Sequence, residues 1–115
     1  MKHMLSVDNK GELKMKIEIL GCRWLHKTYG NTYHAIKCYV DDVLVYTSKD
    51  YEYGYENQYI ESGLRELVKL KILPMKEGES FSYSKLEKKY GLECSVIDVD
   101  QKEHLETWMK EQQSD

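Results

Sequence analysis

The sequence is poor in the residues that mark several large protein classes. It has one proline and seven glycines in 115 residues, which excludes collagen-like chains and Pro/Gly-rich disorder. It has no long run of uncharged apolar residues, so we expect no membrane contact. The sequence has 17 basic and 20 acidic side chains, which give a net charge of -3. This charge argues against general electrostatic binding of nucleic acid, but it does not exclude a local basic patch.

Cysteine is also scarce. Cys22, Cys38 and Cys94 are an odd number and form no Cys-x-x-Cys pair, which indicates a reduced chain without a disulfide framework. Residues 1–12 mix charges with glycine and asparagine and lack the apolar core of a signal peptide. We therefore expect a flexible N-terminal extension over residues 1–12, a single α+β domain over residues 13–115, and a cytoplasmic location.

Residue patterns in the first half of the chain predict three strands. Residues 13–25 alternate apolar and charged side chains, residues 32–40 are rich in β-branched and aromatic types, and residues 43–48 favour a strand again. Turn residues separate these runs, so we predict a three-stranded antiparallel meander. The alternation changes phase at Gly21, where we expect a β-bulge.

The next segment predicts helices packed on this sheet. Over residues 56–73 apolar residues recur every three or four positions, which is typical of a long amphipathic helix, here ended by Pro74. A short helix is expected after Ser84, because its spacing to Glu87 fits a capping box and Gly91 can serve as the C-cap.

The end of the chain predicts a strand and a polar helix. Residues 93–99 have strand composition, and Asp100 is expected to cap the C-terminal helix that follows. The apolar positions of this helix, Leu105, Trp108 and Met109, form a stripe that we expect to be too thin to pack deeply. The predicted element order is therefore β-β-β-α-α-β-α.

Four residues of metal-binding type flank the first predicted turn. Cys22 with Cys38, and His26 with His34, are symmetric about Gly30, so a hairpin turning there would place all four on one face. Two sulfurs and two imidazoles are a suitable zinc donor set, although the short Cys-x-x-Cys spacing of structural zinc sites is missing. We favour Cys22 and Cys38 as small core residues and His34 as a hydrogen-bonded structural imidazole.

Candidate catalytic residues are few. Asp98 and Asp100 are two residues apart on a predicted strand and could hold a divalent ion, but helix capping explains Asp100 more simply. No third acid clusters with them, and the sequence contains no Gly-rich phosphate loop and no nucleophile elbow. We therefore expect neither an enzyme nor a cofactor.

Tyrosine is abundant, with ten residues against one phenylalanine. This bias indicates that the rings contribute a polar hydroxyl group as well as apolar surface. Tyr33, Lys37 and Tyr39 share one face of the second predicted strand, and Tyr53 and Tyr55 share one face of the segment before the long helix. Rings interleaved with lysine suit stacking on bases while the ammonium meets phosphate. These five residues are the predicted ligand-binding site, and the alternative is that the rings simply cover the sheet.

Three strings in the middle of the chain resemble a known family. Gly-Cys-Arg-Trp (residues 21–24), Tyr-Gly-Asn-Thr-Tyr-His (29–34) and Tyr-Gly-Tyr-Glu-Asn-Gln-Tyr (53–59) are similar to the core of a family of small uncharacterised proteins from bacteriophages and other mobile elements of bacteria. The resemblance covers about residues 15–75, and residues 91–99 match its closing strand more loosely. It implies no site residue, but it implies an accessory protein, of a kind that commonly blocks a host factor or binds a host signalling nucleotide.

Two functions are expected, and a hydrolase or metal protein is a third, less favoured hypothesis. The first is a non-enzymatic phage-type accessory protein, a homo-oligomer in the cytoplasm of a bacterial host, that neutralises or modulates a host component such as a defence protein or a signalling nucleotide. The alternative is a regulator that docks its three-stranded sheet on DNA or RNA. Residues 1–50 carry eight Lys+Arg against six Asp+Glu, whereas residues 51–115 carry nine against fourteen, so the sheet lies in the less acidic half.

Overall fold

The structure is a computed structural model that describes residues 6–7, 13–73 and 90–111. Its strands are β1 (Ser6–Val7), β2 (Leu13–Lys14), β3 (Lys16–His26), β4 (Asn31–Val40), β5 (Val43–Thr47), β6 (Glu52–Tyr53) and β7 (Gly91–Val99), and its helices are α1 (Gln58–Lys69) and α2 (Lys102–Lys110). The short helix predicted after Ser84 lies outside the described residues. Gly91, its expected C-cap, is the first residue of β7.

The main sheet contains the predicted meander and one long additional strand. Its order is β5-β4-β3-β7, with β6 also paired to β4, and β1 and β2 form a separate two-stranded sheet. β4 is antiparallel to β3, β5 and β6, whereas β7 runs parallel to β3. The fold class is therefore α+β, as predicted, and the sheet is mixed.

Two turns of different length set the register of the meander. Asp41 and Asp42 both have positive φ, 48° and 69°, as expected for a tight two-residue hairpin turn. The loop between β3 and β4 spans residues 27–30. Gly30 ends this loop with a φ of 69° and donates its backbone N–H to the carbonyl oxygen of His26 at 2.8 Å. The hairpin therefore turns before Gly30 and not on it.

Each helix covers one face of the sheet. On the face that we term the α1 face, α1 packs on the main core, and on the opposite face, termed the α2 face, Leu105 of α2 packs on Cys22 and Ala35. Leu105 is 0% exposed, whereas Trp108 and Met109 are only partly buried, so one residue of the thin apolar stripe of α2 does pack deeply. The buried side chains of the main core are Ile17, Ile19, Ile36, Cys38, Tyr59, Leu64, Leu67, Leu73, Tyr90 and Leu92.

The change of alternation near Gly21 is not a β-bulge. β3 and β4 keep one continuous register along their whole length. The buried residues of β3 change from odd-numbered to even-numbered positions at this point. The reason is that α1 covers one face of β3 up to Gly21, whereas α2 covers the other face from Cys22 onward. An irregularity in the register does occur between Cys38 and Tyr39, where β4 pairs with β5.

The ends of both helices differ from the prediction. Glu56 and Lys71 have positive φ values of 54° and 63°, and α1 is confined between these two positions because a helix requires negative φ. The N-cap of α2 is Gln101 instead of Asp100, and its side chain makes no capping hydrogen bond. Within the described ranges, neither helix has the length and apolar run needed to cross a bilayer.

Candidate functional site

Six aromatic rings gather on the sheet beside the β3–β4 loop. The register places Trp24 opposite Tyr33 and Tyr33 opposite Tyr53, so three neighbouring strands each contribute a ring to the α2 face. The rings of Trp24 and Tyr33 stack with their centroids 5.7 Å apart, and the ring of Tyr53 lies edge-on to that of Tyr33 at 6.0 Å. We term the whole set the aromatic cluster: Trp24, His26, Tyr29, Tyr33, Tyr51 and Tyr53.

Tyr29 and Tyr53 are the exposed rings of the cluster, and each also contacts another ring. Tyr29 is 75% and Tyr53 is 59% exposed. The Tyr29 ring lies 4.9 Å from the ring of His26, and the Tyr53 ring rests against Tyr33. A ring supported in this way loses little conformational freedom when a partner covers its open side. The cluster therefore presents preorganised aromatic contacts.

The structure brings together only part of the predicted ligand site. Tyr33 and Tyr53 are neighbours, whereas Tyr55 lies beyond the end of β6 and is exposed. Lys37 and Tyr39 alternate with Tyr33 along β4, as predicted, but both are buried. A single open pocket lined by all five residues is therefore not formed in the described structure.

Lys37 is used inside the protein. Its Nζ donates a hydrogen bond to the backbone oxygen of Glu111 at 2.7 Å and lies 4.5 Å from the ring centroid of Trp108. Burial removes water from the ammonium group and lowers the pKa of Lys37. A phosphate can reach this ammonium only if the C-terminal end of α2 moves away.

The predicted site omits Trp24 and Tyr29, which the structure places in the cluster. The length of the loop at residues 27–30 decides which residue of β3 lies opposite Tyr33. Only the correct loop length would therefore have placed Trp24 beside Tyr33. Tyr29 has a simpler signal, since an aromatic residue at the tip of a short loop has few neighbours to cover it.

A buried serine–histidine pair lies on the α1 face. His34 Nδ1 is 3.1 Å from the carbonyl oxygen of Gly54, and His34 Nε2 is 2.8 Å from Ser62 Oγ. Because a carbonyl only accepts, Nδ1 donates to Gly54, and a ring that carries its proton on Nδ1 alone accepts from the Ser62 hydroxyl at Nε2. Such a pair can activate a serine in an enzyme, but His34 is 1% exposed and Ser62 is also buried. The pair joins the Gly54 segment to α1, and His34 is confirmed as a hydrogen-bonded structural imidazole.

The four possible metal ligands do not share a face. Cys22 and His26 lie on the α2 face and His34 and Cys38 on the α1 face, because the pairing register differs from the expected one by an odd number of residues. The expectation of one shared face is therefore wrong. Among the residues with described positions, no three His, Cys, Asp or Glu residues are grouped to hold a metal ion.

The two buried cysteines are core residues, as predicted. Cys22 and Cys38 are fully buried on opposite faces. Burial raises the pKa of Cys22 to about 11 and that of Cys38 to about 12. Since the thiolate is the reactive form, both thiols are poor nucleophiles in the folded chain.

Asp98 is engaged by an arginine. Arg23 donates from Nε and Nη2 to the two carboxylate oxygens of Asp98 at 2.7 and 3.0 Å, and from Nη1 to the backbone oxygen of Glu56 at 2.8 Å. The hydrogen bond from Arg23 lowers the pKa of Asp98. The arrangement ties β7 to β3 and to the segment before α1.

This ion pair predicts a small loss of stability in acid. Because the folded pKa of Asp98 is below its ordinary value, the ionised carboxylate stabilises the fold above that ordinary value, and the contribution disappears as the pH falls through the lowered pKa. Asp98 is exposed, so we expect an effect below about 1 kcal/mol. Urea unfolding at about pH 6 and about pH 2 should show a larger loss for the wild type than for Asp98→Asn. Equal losses would contradict this assignment.

Comparison with protein-family models, with curated proteins and with solved structures finds no significant match.

Proposed function

We propose that this chain is a non-enzymatic accessory protein of the phage type that binds and neutralises or modulates a host component. The observation that carries the proposal is the exposure of Tyr29 and Tyr53 on a base of packed rings. Tyrosine and tryptophan dominate the residues that contribute most to binding in protein interfaces. The resemblance of the three sequence strings to phage proteins supports the biological context.

The charges beside the cluster favour a protein partner over a nucleic acid. Lys102 Nζ lies 5.6 Å from the ring centroid of Tyr51, and Glu103 is the next residue on α2. Lys49 is likewise followed by Asp50, immediately before Tyr51. Alternating charges around aromatic rings suit the polar rim of a protein interface, whereas a phosphate backbone needs a row of positive charges.

The position of Lys37 argues against capture of a nucleotide while α2 is packed on the sheet. That mode assigns phosphate binding to Lys37, whose ammonium is hydrogen-bonded to Glu111 beneath Trp108. A host protein that contacts the aromatic cluster is therefore the partner we propose, and a nucleotide is an outcome that the experiment distinguishes.

The proposal is tested by removing the two exposed rings together. Tyr29→Ala with Tyr53→Ala is expected to weaken binding of a host protein by about 100-fold, because each exposed ring is a candidate hot spot. The full-length chain is used to capture partners from a bacterial host lysate, and the affinity of the recovered partner is then measured for each variant. Val43→Ala changes an exposed residue at the opposite end of the sheet and should leave the affinity unchanged.

The possible outcomes separate the candidate functions. Equal affinity for the wild type and the double variant would overturn the assignment of the cluster. A native mass spectrum of the purified chain gives the oligomeric state directly, and extra mass that is lost on denaturation would support nucleotide capture instead. Capture that disappears after nuclease treatment, and that falls steeply with added salt, would favour the nucleic-acid alternative.

A further inference from the structure

Helix α2 is attached to the sheet by a small buried area. Leu105 is the buried residue among the nine residues of α2, whereas α1 buries Tyr59, Ser62, Gly63, Leu64 and Leu67. Neither of the two described helices has a side-chain hydrogen bond at its N-cap, so the number of buried residues is what distinguishes the two attachments. Elements with few buried apolar contacts open at a lower free energy than the rest of a fold, so α2 is the weaker of the two helix attachments.

The C-terminal end of α2 covers a lysine that water would stabilise. Lys37 is 2% exposed, under Trp108 and hydrogen-bonded to Glu111. A buried ammonium forgoes most of its hydration, and opening of α2 returns it to water. Burial of Leu105 and the contacts of Lys37 with Trp108 and Glu111 favour the closed state, whereas hydration of Lys37 favours release. These opposing contributions lie within one short helix.

The link to the sheet allows α2 to move without disturbing the strands. The β3–β7 ladder ends at the pair Trp24↔Val99, and α2 begins at Lys102 after two residues without regular structure. The main core lies on the other face, under α1. Release of α2 therefore breaks contacts on the α2 face and none of the strand pairing.

We infer that α2 is a detachable strap that opens while α1 and the sheet stay packed, and that its opening uncovers Lys37 and Cys22 on the α2 face. The opened face exposes the ammonium group of Lys37, which lies on the same strand as Tyr33. In the closed structure this ammonium group is shielded from solvent. This inference concerns access to a second surface and does not depend on the function proposed for the exposed rings.

The protein contains its own reporters for the two faces. Cys22 is fully buried beneath Leu105 of α2, and Cys38 is fully buried beneath α1. A thiol-reactive reagent can reach each one only when its own covering element opens. Partly buried Cys94 supplies a reference within the same chain.

The experiment is pulse labelling of the native full-length chain with N-ethylmaleimide, followed by digestion and quantification of each cysteine by mass spectrometry. Cys22 is expected to react at least about tenfold faster than Cys38, because the strap opens more often than the main core. Leu105→Ala should speed labelling of Cys22 by about 10- to 100-fold and change that of Cys38 by less than about twofold. Leu64→Ala, the matched change on α1, should speed labelling of Cys38 and leave that of Cys22 nearly unchanged.

Two results would overturn the strap. One is equal labelling rates of Cys22 and Cys38 in the wild type, and the other is equal acceleration of both by Leu105→Ala. Hydrogen exchange of the wild type covers the case in which that variant fails to fold. The amides of α2 are then expected to exchange faster than those of α1 and β4, and exchange of all three at one common free energy would show that α2 opens only with the whole domain.

Discussion

Replacing His34 by alanine is expected to lower the free energy of unfolding by about 4 kcal/mol. The substitution empties a buried site and removes both hydrogen bonds of the imidazole. It also leaves the carbonyl of Gly54 and the hydroxyl of Ser62, both buried, without that partner. Urea unfolding followed by circular dichroism measures the loss.

The matched control for this change is Ser62→Ala. It removes one of the two hydrogen bonds and keeps the ring in place, so we expect a loss of about 1 to 2 kcal/mol. The difference between the two variants isolates the bond from Nδ1 to Gly54 and the packing of the ring. Losses of equal size for His34→Ala and Ser62→Ala would contradict a bridging role for the imidazole.

Replacing Gly21 by valine is expected to lower the free energy of unfolding by about 3 kcal/mol. A Cβ atom at Gly21 would lie 2.6 Å from Cδ2 and 2.7 Å from Cγ of the Tyr59 ring. These distances are well inside van der Waals contact, and Tyr59 is buried in the main core. Since the ring cannot turn aside, α1 must shift on the sheet. Thermal and urea unfolding report the loss.

Gly30→Asn is the control for a glycine without close neighbours. A Cβ atom at Gly30 meets nothing within 4 Å, and asparagine tolerates the positive φ of this position. A loss below about 1 kcal/mol is expected. Combining Gly21→Val with Tyr59→Ala should destabilise the protein by less than the sum of the two single changes, because the smaller side chain makes room. Strict additivity would show that the two residues do not collide.

Local patterns in the sequence predicted most of the sheet and the long helix. Alternation and β-branched residues predict β3, β4 and β5, and the period of the apolar residues predicts α1, because these patterns follow from which side of each element is buried. The register of β3 and β4 was not predictable in this way. It depends on where a four-residue loop turns, and an odd error in register moves every side chain to the other face. The predicted grouping of Cys22 with Cys38 failed for this reason.

The candidate site was predictable only where strand alternation decides it. Alternation along β4 correctly grouped Tyr33, Lys37 and Tyr39 on one face. The burial of Lys37 depends on α2, which packs on β3 and β4 from a distant part of the sequence. No local pattern carries that contact, so a residue predicted to meet a ligand is covered by the protein itself.

The parallel pairing of β7 with β3 also determines when the sheet is completed during synthesis. Partners in this ladder, such as Arg23 and Asp98, are 75 residues apart, whereas short turns join β3, β4 and β5. Closing so long a loop costs more chain entropy, and contacts distant in sequence slow folding. On the ribosome the hairpins emerge well before β7, and β3 then has an unpaired edge open to other chains. When β7 docks, it covers this edge with a strand that carries Glu93 and Asp98, charged residues that discourage further strand addition.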